Sequence, residues 1–129
     1  MQVALSILAD LYAVAQYPPS AALPAFPATT DLFAIIRTAS ELSIVCAEAL
    51  APADAKIELG WRALRFEGPF DFALTGILAS VTGPLAAAHI PIFALSTFDT
   101  DYLLVKHTNL ADTIAILTAA GHRFTNVAH

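Results

Sequence analysis

The segment ALSTFDTDYLLVK, residues 94–106, decides how the second half of the chain folds. An apolar run ends at Ser96, a short polar stretch with Asp99 and Asp101 follows, and an apolar run resumes at Tyr102. Apolar runs separated by turn-forming residues predict two antiparallel strands joined by a tight turn. Two carboxylates this close together leave four interpretations open: turn residues, a metal site, a catalytic pair, or a pocket for a cationic ligand.

The segments on either side of this hairpin predict the order β-α-β-β-α-β. WRALRFE, residues 61–67, is predicted to be a strand, and residues 71–89 carry apolar side chains at helical spacing with Asp71 as the expected N-cap. A second helix is expected over residues 109–120, and RFTNVA is expected to add a final strand. This order is that of the split βαβ, or ferredoxin-like, unit.

The first half of the chain shows a similar rhythm of strands but has a proline-rich connector where its first helix would be. The expected segments are a strand at 3–16, the connector at 18–27, hairpin strands at 32–38 and 42–46, and a short helix between 47 and 59. We therefore predict an α+β fold of two tandem ferredoxin-like units with antiparallel sheets, the N-terminal one degenerate. The predicted units are 1–60 and 61–129, although strand 61–67 is free to pair into either sheet.

Composition and charge limit the classes of partner. The 129 residues are 57 % hydrophobic and 13 % charged, and so few charges cannot cover the large surface of a short chain. We therefore expect apolar surface to face another subunit, in a homo-oligomer that is most simply a two-fold dimer. The net charge of −5, with six Lys and Arg spread singly, argues against binding of nucleic acid and of an anionic membrane surface.

Several features predict a cytoplasmic location. Cys46 is the only cysteine, which excludes an internal disulfide and fits a reducing compartment. The apolar N-terminal segment has no Lys or Arg ahead of it and is interrupted by Asp10, so we expect no signal peptide. Residues 72–98 carry no charge, but Pro84 and Pro91 break the run, which favours a buried helix followed by a buried strand over a membrane span.

The sequence offers no pattern typical of an enzyme. It contains no glycine-rich phosphate-binding motif and no nucleophile elbow, and its four histidines lack metal-ligand spacing. Its carboxylates do not have the spacing of a calcium-binding loop. We therefore expect a protein that is not an enzyme and has neither a metal nor a cofactor.

Polar residues gather instead at the ends of two adjacent elements, EGPFD (67–71) and STFDTD (96–101). The first and third strands of a βαββαβ unit are antiparallel neighbours, so the end of one meets the beginning of the other. The two motifs should therefore be close in space. N–H groups from Phe72 to Leu74, at the expected helix start, would bind a carboxylate, and Gly68 would let that backbone approach a ligand.

Three aspartates in these motifs, Asp71, Asp99 and Asp101, are suited to accept hydrogen bonds from an ammonium or guanidinium group. Plainer roles are open for most of the polar residues here. Asp71 would serve as an N-cap, Asp99 as a turn residue, and Glu67 as a solvated strand end. Asp101 is the hardest to explain in this way, because a carboxylate that opens a buried strand needs a partner.

These segments resemble the small bacterial ACT-domain proteins of the CASTOR-like group over residues 32–122, most specifically in EGPFDF-LTGIL and STFDTDYLLV. The resemblance implies two ACT-like units of ferredoxin-like fold in tandem, acting as a regulatory module that binds a small molecule, commonly an amino acid. Animal relatives sense arginine. It also implies a ligand site formed by Gly68, Asp71 and Asp101, with the following neighbours: Thr75, Gly76, Ile77, Ser96, Thr97 and Phe98. Asp99 joins these candidate ligand-binding residues on the argument from its carboxylate given above.

Two hypotheses about function follow. The first is a non-catalytic amino-acid-binding regulatory module that favours a cationic amino acid and acts through a separate partner protein. The second is a structural or interaction protein that uses the ACT-like fold for dimerisation or docking without a ligand. The N-terminal unit lacks a glycine-marked loop like EGPFD, so the site is expected in the C-terminal unit.

Overall fold

Seven strands and two α-helices are formed by the residues that the computed structural model describes, which are 1–28, 30–54, 56–71 and 73–127. This α+β composition confirms the predicted fold class. Two short 3₁₀ turns, Glu48–Leu50 and His107–Asn109, complete the elements. The strands and helices are β1 Ala4–Tyr17, β2 Ala34–Arg37, β3 Leu42–Ala47, β4 Lys56–Phe66, α1 Ile77–Ala87, β5 Ile92–Ser96, β6 Asp101–Lys106, α2 Leu110–Ala119 and β7 Arg123–Phe124.

The chain divides into two units, and two long strands contribute to both. One unit is Asp10–Trp61, and the other combines Met1–Ala9 with Arg62–His129. The strand β1 passes from one unit to the other after Ala9, and β4 does so after Trp61. Folding of 1–60 and 61–129 as separate units stays a prediction.

In the C-terminal unit the strands follow the order β7-β1-β4-β6-β5. The neighbours β4 and β6 are those that the ferredoxin-like order predicts. The position of β7 was not anticipated, because it pairs in parallel with the start of β1, with Ala4 opposite Arg123 and Leu5 opposite Phe124. The sequence interpretation assigned the start of β1 to the N-terminal unit. It lies here instead because Leu5 and Phe124 are buried in this unit's core.

Both helices bury one apolar stripe in that core. On α1 the buried side chains are Ile77, Val81 and Leu85, which are spaced four residues apart. On α2 the buried apolar side chain is Leu117. Burial of each such side chain stabilises the fold by about 1.5–3 kcal/mol. Of the helices in the described ranges, none combines the length and apolarity that a bilayer crossing needs.

The first helix begins later than predicted. The expected N-cap was Asp71, whereas α1 starts at Ile77 and its N-cap is Gly76, with φ of +79° in the left-handed region that favours glycine. Asp71 instead closes a local turn, in which its Oδ1 accepts from Ala73 N–H at 2.8 Å. The predicted start of the second helix is confirmed, since Asn109 is the N-cap residue of α2, although its side chain makes no capping bond.

His122 is a core histidine whose two ring nitrogens both have hydrogen-bond partners. It is buried, its Nδ1 accepts from Val3 N–H at 3.0 Å, and its Nε2 lies 2.8 Å from the Ser80 carbonyl. Because Nδ1 accepts, Nε2 carries the proton and donates to Ser80. The imidazole thus ties the residue that precedes β1 to α1.

The N-terminal unit contains the strand order β2-β3-β1-β4 and a small core of its own. The predicted β2–β3 hairpin is confirmed, with Arg37 opposite Leu42. The Arg37 guanidinium donates to the Pro19 and Ala21 carbonyls and so holds the proline connector. The short helix expected before β4 is the single 3₁₀ turn at 48–50, and β4 starts at Lys56 rather than at residue 61.

Candidate functional site

The loop after β4 lies directly against the β5–β6 turn. The Phe70 N–H donates to the Asp99 carbonyl at 2.9 Å, and the buried Thr100 hydroxyl donates to the Phe66 carbonyl at 2.5 Å. The two polar motifs therefore meet, as antiparallel pairing of their strands predicts. Sequence reasoning missed Thr100, because a threonine at a strand start carries no signal for a bond to another strand.

Gly68 makes this close approach possible. A Cβ atom at Gly68 would lie 3.0 Å from the Asp99 carbonyl oxygen and 3.2 Å from Thr100 Cβ. The peptide between Gly68 and Pro69 is cis. Gly68 thus lets the two loops pack this closely, and the cavity described next is lined by other residues.

A cavity of about 260 Å³ lies where the two loops meet the start of α1. Eight of the ten predicted site residues line it, whereas Gly68 and Thr75 do not. Four lining residues were not among those ten, and of these Leu74 had been expected to offer a ligand only its backbone N–H. The lining residues are Phe70, Asp71, Leu74, Gly76, Ile77, Leu78, Ser96, Thr97, Phe98, Asp99, Thr100 and Asp101.

The cavity wall is acidic. Asp71, Asp99 and Asp101 line it, and no Lys, Arg or His is among the described residues that do. Across the β5–β6 pair, Ser96 Oγ donates to Asp101 Oδ1 at 2.6 Å, which leaves the second oxygen of this half-buried carboxylate for another donor. The wall therefore offers hydrogen-bond acceptors and negative charge to a cation.

A helix N-terminus supplies partial positive charge beside these carboxylates. It lies at a different place from the one predicted. Phe72 lies outside the described residues, and the N–H groups of Ala73 and Leu74 already donate to Asp71. The helix starts at Ile77, so the N–H groups of its first turn have no acceptor within the helix. Because Gly76, Ile77 and Leu78 line the cavity, this partial positive charge lies at its wall.

Two exposed apolar side chains complete the wall. Leu74 is 52 % exposed in the loop before α1, and Phe98 is 81 % exposed at the β5–β6 turn. Apolar side chains of this size are normally buried. Together with the carboxylates and the helix N-terminus, they suit a small molecule that carries both charges and an aliphatic part.

The N-terminal unit has a cavity of about 410 Å³ with two carboxylates in its wall, from Asp10 and Glu48. Glu48 already accepts from Gly60 N–H at 2.7 Å through Oε2. No predicted site residue lies here. Among the residues that the structure describes, no group of three or more side chains is arranged to hold a metal ion.

Comparisons with known proteins find matches in both halves of the chain. A family model described as an ACT domain matches residues 56–119, and a model that describes an N-terminal domain matches residues 10–54. A crystal structure of the protein Atu0741 from Agrobacterium tumefaciens is 40 % identical, covers all of this chain and 96 % of its own, and superposes with a TM-score of 0.91. The ligand-free regulatory subunit of aspartate kinase from Thermus thermophilus has the same fold at 10 % identity, with a TM-score of 0.57 over 88 % of this chain and 96 % of its own.

Curated relatives match only part of the chain. The human and bovine proteins named cytosolic arginine sensor for mTORC1 subunit 1 are 41 % identical over 58 residues, which is 44 % of this chain. The matched region spans 18 % of the length of those relatives.

Proposed function

Because the chain belongs to the ACT-domain family, we propose that it is a regulatory module whose cavity at the β4–α1 and β5–β6 loops binds an amino acid. The observation that carries this proposal is that one cavity wall holds three carboxylates and the first turn of a helix. A free amino acid has an ammonium group that the carboxylates would bind and a carboxylate group that the helix N-terminus would bind.

The size of the cavity suits a ligand as small as an amino acid. Its volume of about 260 Å³ falls below the range of about 300–1,000 Å³ typical of pockets for drug-sized molecules. The aliphatic stem of such a ligand would contact Leu74 and Phe98, whose apolar surface is otherwise exposed.

A cationic side chain, as in arginine or lysine, fits the wall best. Three carboxylates exceed what one α-ammonium group needs, and the wall contributes no Lys or Arg among its described residues. The names of the curated relatives, arginine sensors, support the same choice. A hydrogen bond to a charged group contributes about 1.5–3 kcal/mol, so a second charged contact would raise selectivity at least tenfold.

In this proposal the module acts without catalysis, in the cytoplasm, as a homodimer, and regulates a separate protein. The absence of His, Cys and Lys from the described cavity wall supports a binding role, because these side chains are the common bases and nucleophiles. The small charged fraction of 13 % supports burial of surface against a second copy.

A thermal-shift screen of the twenty amino acids tests the proposal. We expect arginine or lysine to raise the unfolding temperature of the wild type and to have a smaller effect on Asp101→Asn, whose affinity should fall about 10-fold to 150-fold. Asp112→Asn is the matched control, because Asp112 is exposed on α2 and outside the cavity. No shift with any amino acid would refute the proposal.

The exposure of Phe98 favours one alternative, an interaction protein that docks through this turn without a ligand. In that case no amino acid would shift the unfolding temperature, and Phe98→Ser would weaken capture of a protein partner. If the wild type binds an amino acid and Phe98→Ser lowers that affinity, the result would support the proposed function.

A further inference from the structure

A proline inside α1 leaves one backbone carbonyl without its regular donor. In an α-helix the carbonyl of each residue accepts from the N–H four residues later. For Ser80 that later residue is Pro84, which has no N–H, yet the helix continues to Ala87. Because an unpaired carbonyl away from water costs free energy, a donor from outside the helix would stabilise α1 at the half-buried Ser80.

The imidazole of His122 supplies that donor. Its Nε2 lies 2.8 Å from the Ser80 carbonyl oxygen, and Nε2 carries the proton because Nδ1 accepts from Val3 N–H at 3.0 Å. His122 is only 4 % exposed, so bulk water does not compete for the bond. A side chain 42 positions away thus replaces the amide that Pro84 lacks.

The end of α2 fixes the backbone of His122. Gly121, with φ of +98°, donates its N–H to the Thr118 carbonyl at 3.0 Å. The His122 N–H donates to the Leu117 carbonyl, also at 3.0 Å. These two bonds form a Schellman motif, which ends a helix at a glycine. The residue after His122 donates its N–H to the Val3 carbonyl at 3.0 Å, so the backbone is bonded on both sides of the imidazole.

Ser80 connects this bond to the cavity at the start of α1. Its N–H donates to the Gly76 carbonyl at 2.9 Å, and its Oγ donates to the Ile77 carbonyl at 2.7 Å. Gly76 is the N-cap of α1, Ile77 is its first residue, and both line the cavity. A shift of Ser80 would therefore move the N–H groups of the first turn, which the proposed function assigns to the carboxylate of the ligand.

We propose that His122 is a positioning residue for the amino-acid site, an inference that rests on the proposed function. By donating to the Ser80 carbonyl in place of Pro84, the imidazole holds the first turns of α1, and with them the N–H groups at the cavity wall. The imidazole is not part of the cavity wall that the described residues form. Its effect is therefore on recognition of the ligand's carboxylate and not on recognition of the cationic end.

Two substitutions of His122 separate the two bonds of its imidazole. In His122→Asn the side-chain oxygen takes the place of Nδ1, so the bond from Val3 is kept and the donor to Ser80 is lost. In His122→Gln the longer side chain brings its nitrogen to the place of Nε2, so the donor to Ser80 is kept and the acceptor for Val3 is lost. Each leaves one polar group unpaired, so each should lower the folding equilibrium constant in urea denaturation about 5-fold to 150-fold.

Pro84→Ala shows whether the donor to Ser80 replaces the missing amide. It restores an N–H at residue 84, so the loss caused by His122→Asn should be about fivefold or more smaller in this background than in the wild type. The loss caused by His122→Gln, the matched control, should be the same in both backgrounds. Because alanine favours the helix over proline, this background also keeps the variants folded. Equal losses for His122→Asn in the two backgrounds would overturn the proposal.

Calorimetric titration with arginine and with agmatine, which lacks the carboxylate, tests the step from His122 to the cavity. Below the unfolding temperature of the variant, His122→Asn should weaken arginine binding about fivefold and leave agmatine binding unchanged, and Pro84→Ala should restore the arginine affinity. Equal weakening of both ligands, or an unchanged arginine affinity, would overturn the positioning role.

The same measurements distinguish failure of this inference from failure of the proposed function. A wild type that binds neither arginine nor lysine would refute the proposed function and the positioning role with it. A wild type that binds arginine, in a chain where His122→Asn and Pro84→Ala act independently, would overturn this inference alone.

Discussion

Substitution of Gly68 by alanine tests the contact between the two loops that form the cavity. The added Cβ would lie 3.0 Å from the Asp99 carbonyl oxygen and 3.2 Å from Thr100 Cβ, so the β5–β6 turn must move back by several tenths of an ångström. Overpacking of this kind costs about 1–3 kcal/mol. The same carbonyl accepts from Phe70 N–H at 2.9 Å, and weakening that bond removes up to about 1 kcal/mol more.

One effect acts in the opposite direction. Alanine restricts the unfolded chain more than glycine does, which stabilises the folded state by about 0.4–1 kcal/mol. The net expectation for Gly68→Ala is a loss of up to about 3.5 kcal/mol in the free energy of unfolding, measured by urea denaturation. Thr75→Ala is the matched control, since Thr75 is exposed in the same loop and outside the cavity wall, and it should change stability by no more than about 0.5 kcal/mol.

A Gly68→Ala variant clearly more stable than the wild type would refute the close approach of the loops. We also expect the variant to bind a cationic amino acid more weakly, because the displaced turn carries Asp99 and leads directly into Asp101, the first residue of β6. If the variant is less stable but binds the amino acid with unchanged affinity, Gly68 supports packing of the loops without affecting the cavity.

Three further predictions address the core and the buried polar groups. Thr100→Val should cost about 1–2 kcal/mol in urea denaturation, because it leaves the Phe66 carbonyl without its donor; an unchanged midpoint would argue against that bond. Leu85→Ala should cost about 2–5 kcal/mol in thermal unfolding, since Leu85 is fully buried on α1; a loss below about 1 kcal/mol would contradict its place in the core. Burial raises the pKa of the Cys46 thiol above its ordinary value of 9.0, so the folded chain keeps the proton at a pH where the unfolded chain releases it. Stability should therefore fall as the pH rises above about 9, and less steeply in Cys46→Ala, as measured by chemical denaturation across that range; equal slopes would contradict the assignment.

The sequence predicted most elements of the C-terminal unit because their signals are local. The apolar stripe of α1 and the turn between β5 and β6 can each be recognised within fewer than twenty residues. The pairing of β7 with β1 joins residues about 120 positions apart, and no short segment contains that information. The start of α1 was also misplaced, because Asp71 is a good N-cap residue and its competing local turn with Ala73 leaves no mark in the pattern.

The candidate site was predictable where it follows from strand order. Adjacent antiparallel strands bring the end of β4 to the start of β6, and this alone places EGPFD beside STFDTD. What the sequence could not supply is which side chains face the resulting space. Leu74 lines the cavity rather than the helix core because α1 starts only at Ile77. Gly68 contacts the other loop rather than the cavity, and glycine suits this position because the Asp99 carbonyl oxygen lies close to where a Cβ would be.

Calorimetric titration of the wild type with arginine and with citrulline tests the central claim most directly. The two molecules have nearly the same shape, but citrulline carries a neutral urea group in place of the guanidinium. An acidic cavity should bind arginine at least about tenfold more tightly, which corresponds to about 1.4 kcal/mol. Equal affinities for the two, or no heat with arginine and none with lysine, would contradict a cavity whose carboxylates hold a cationic amino acid.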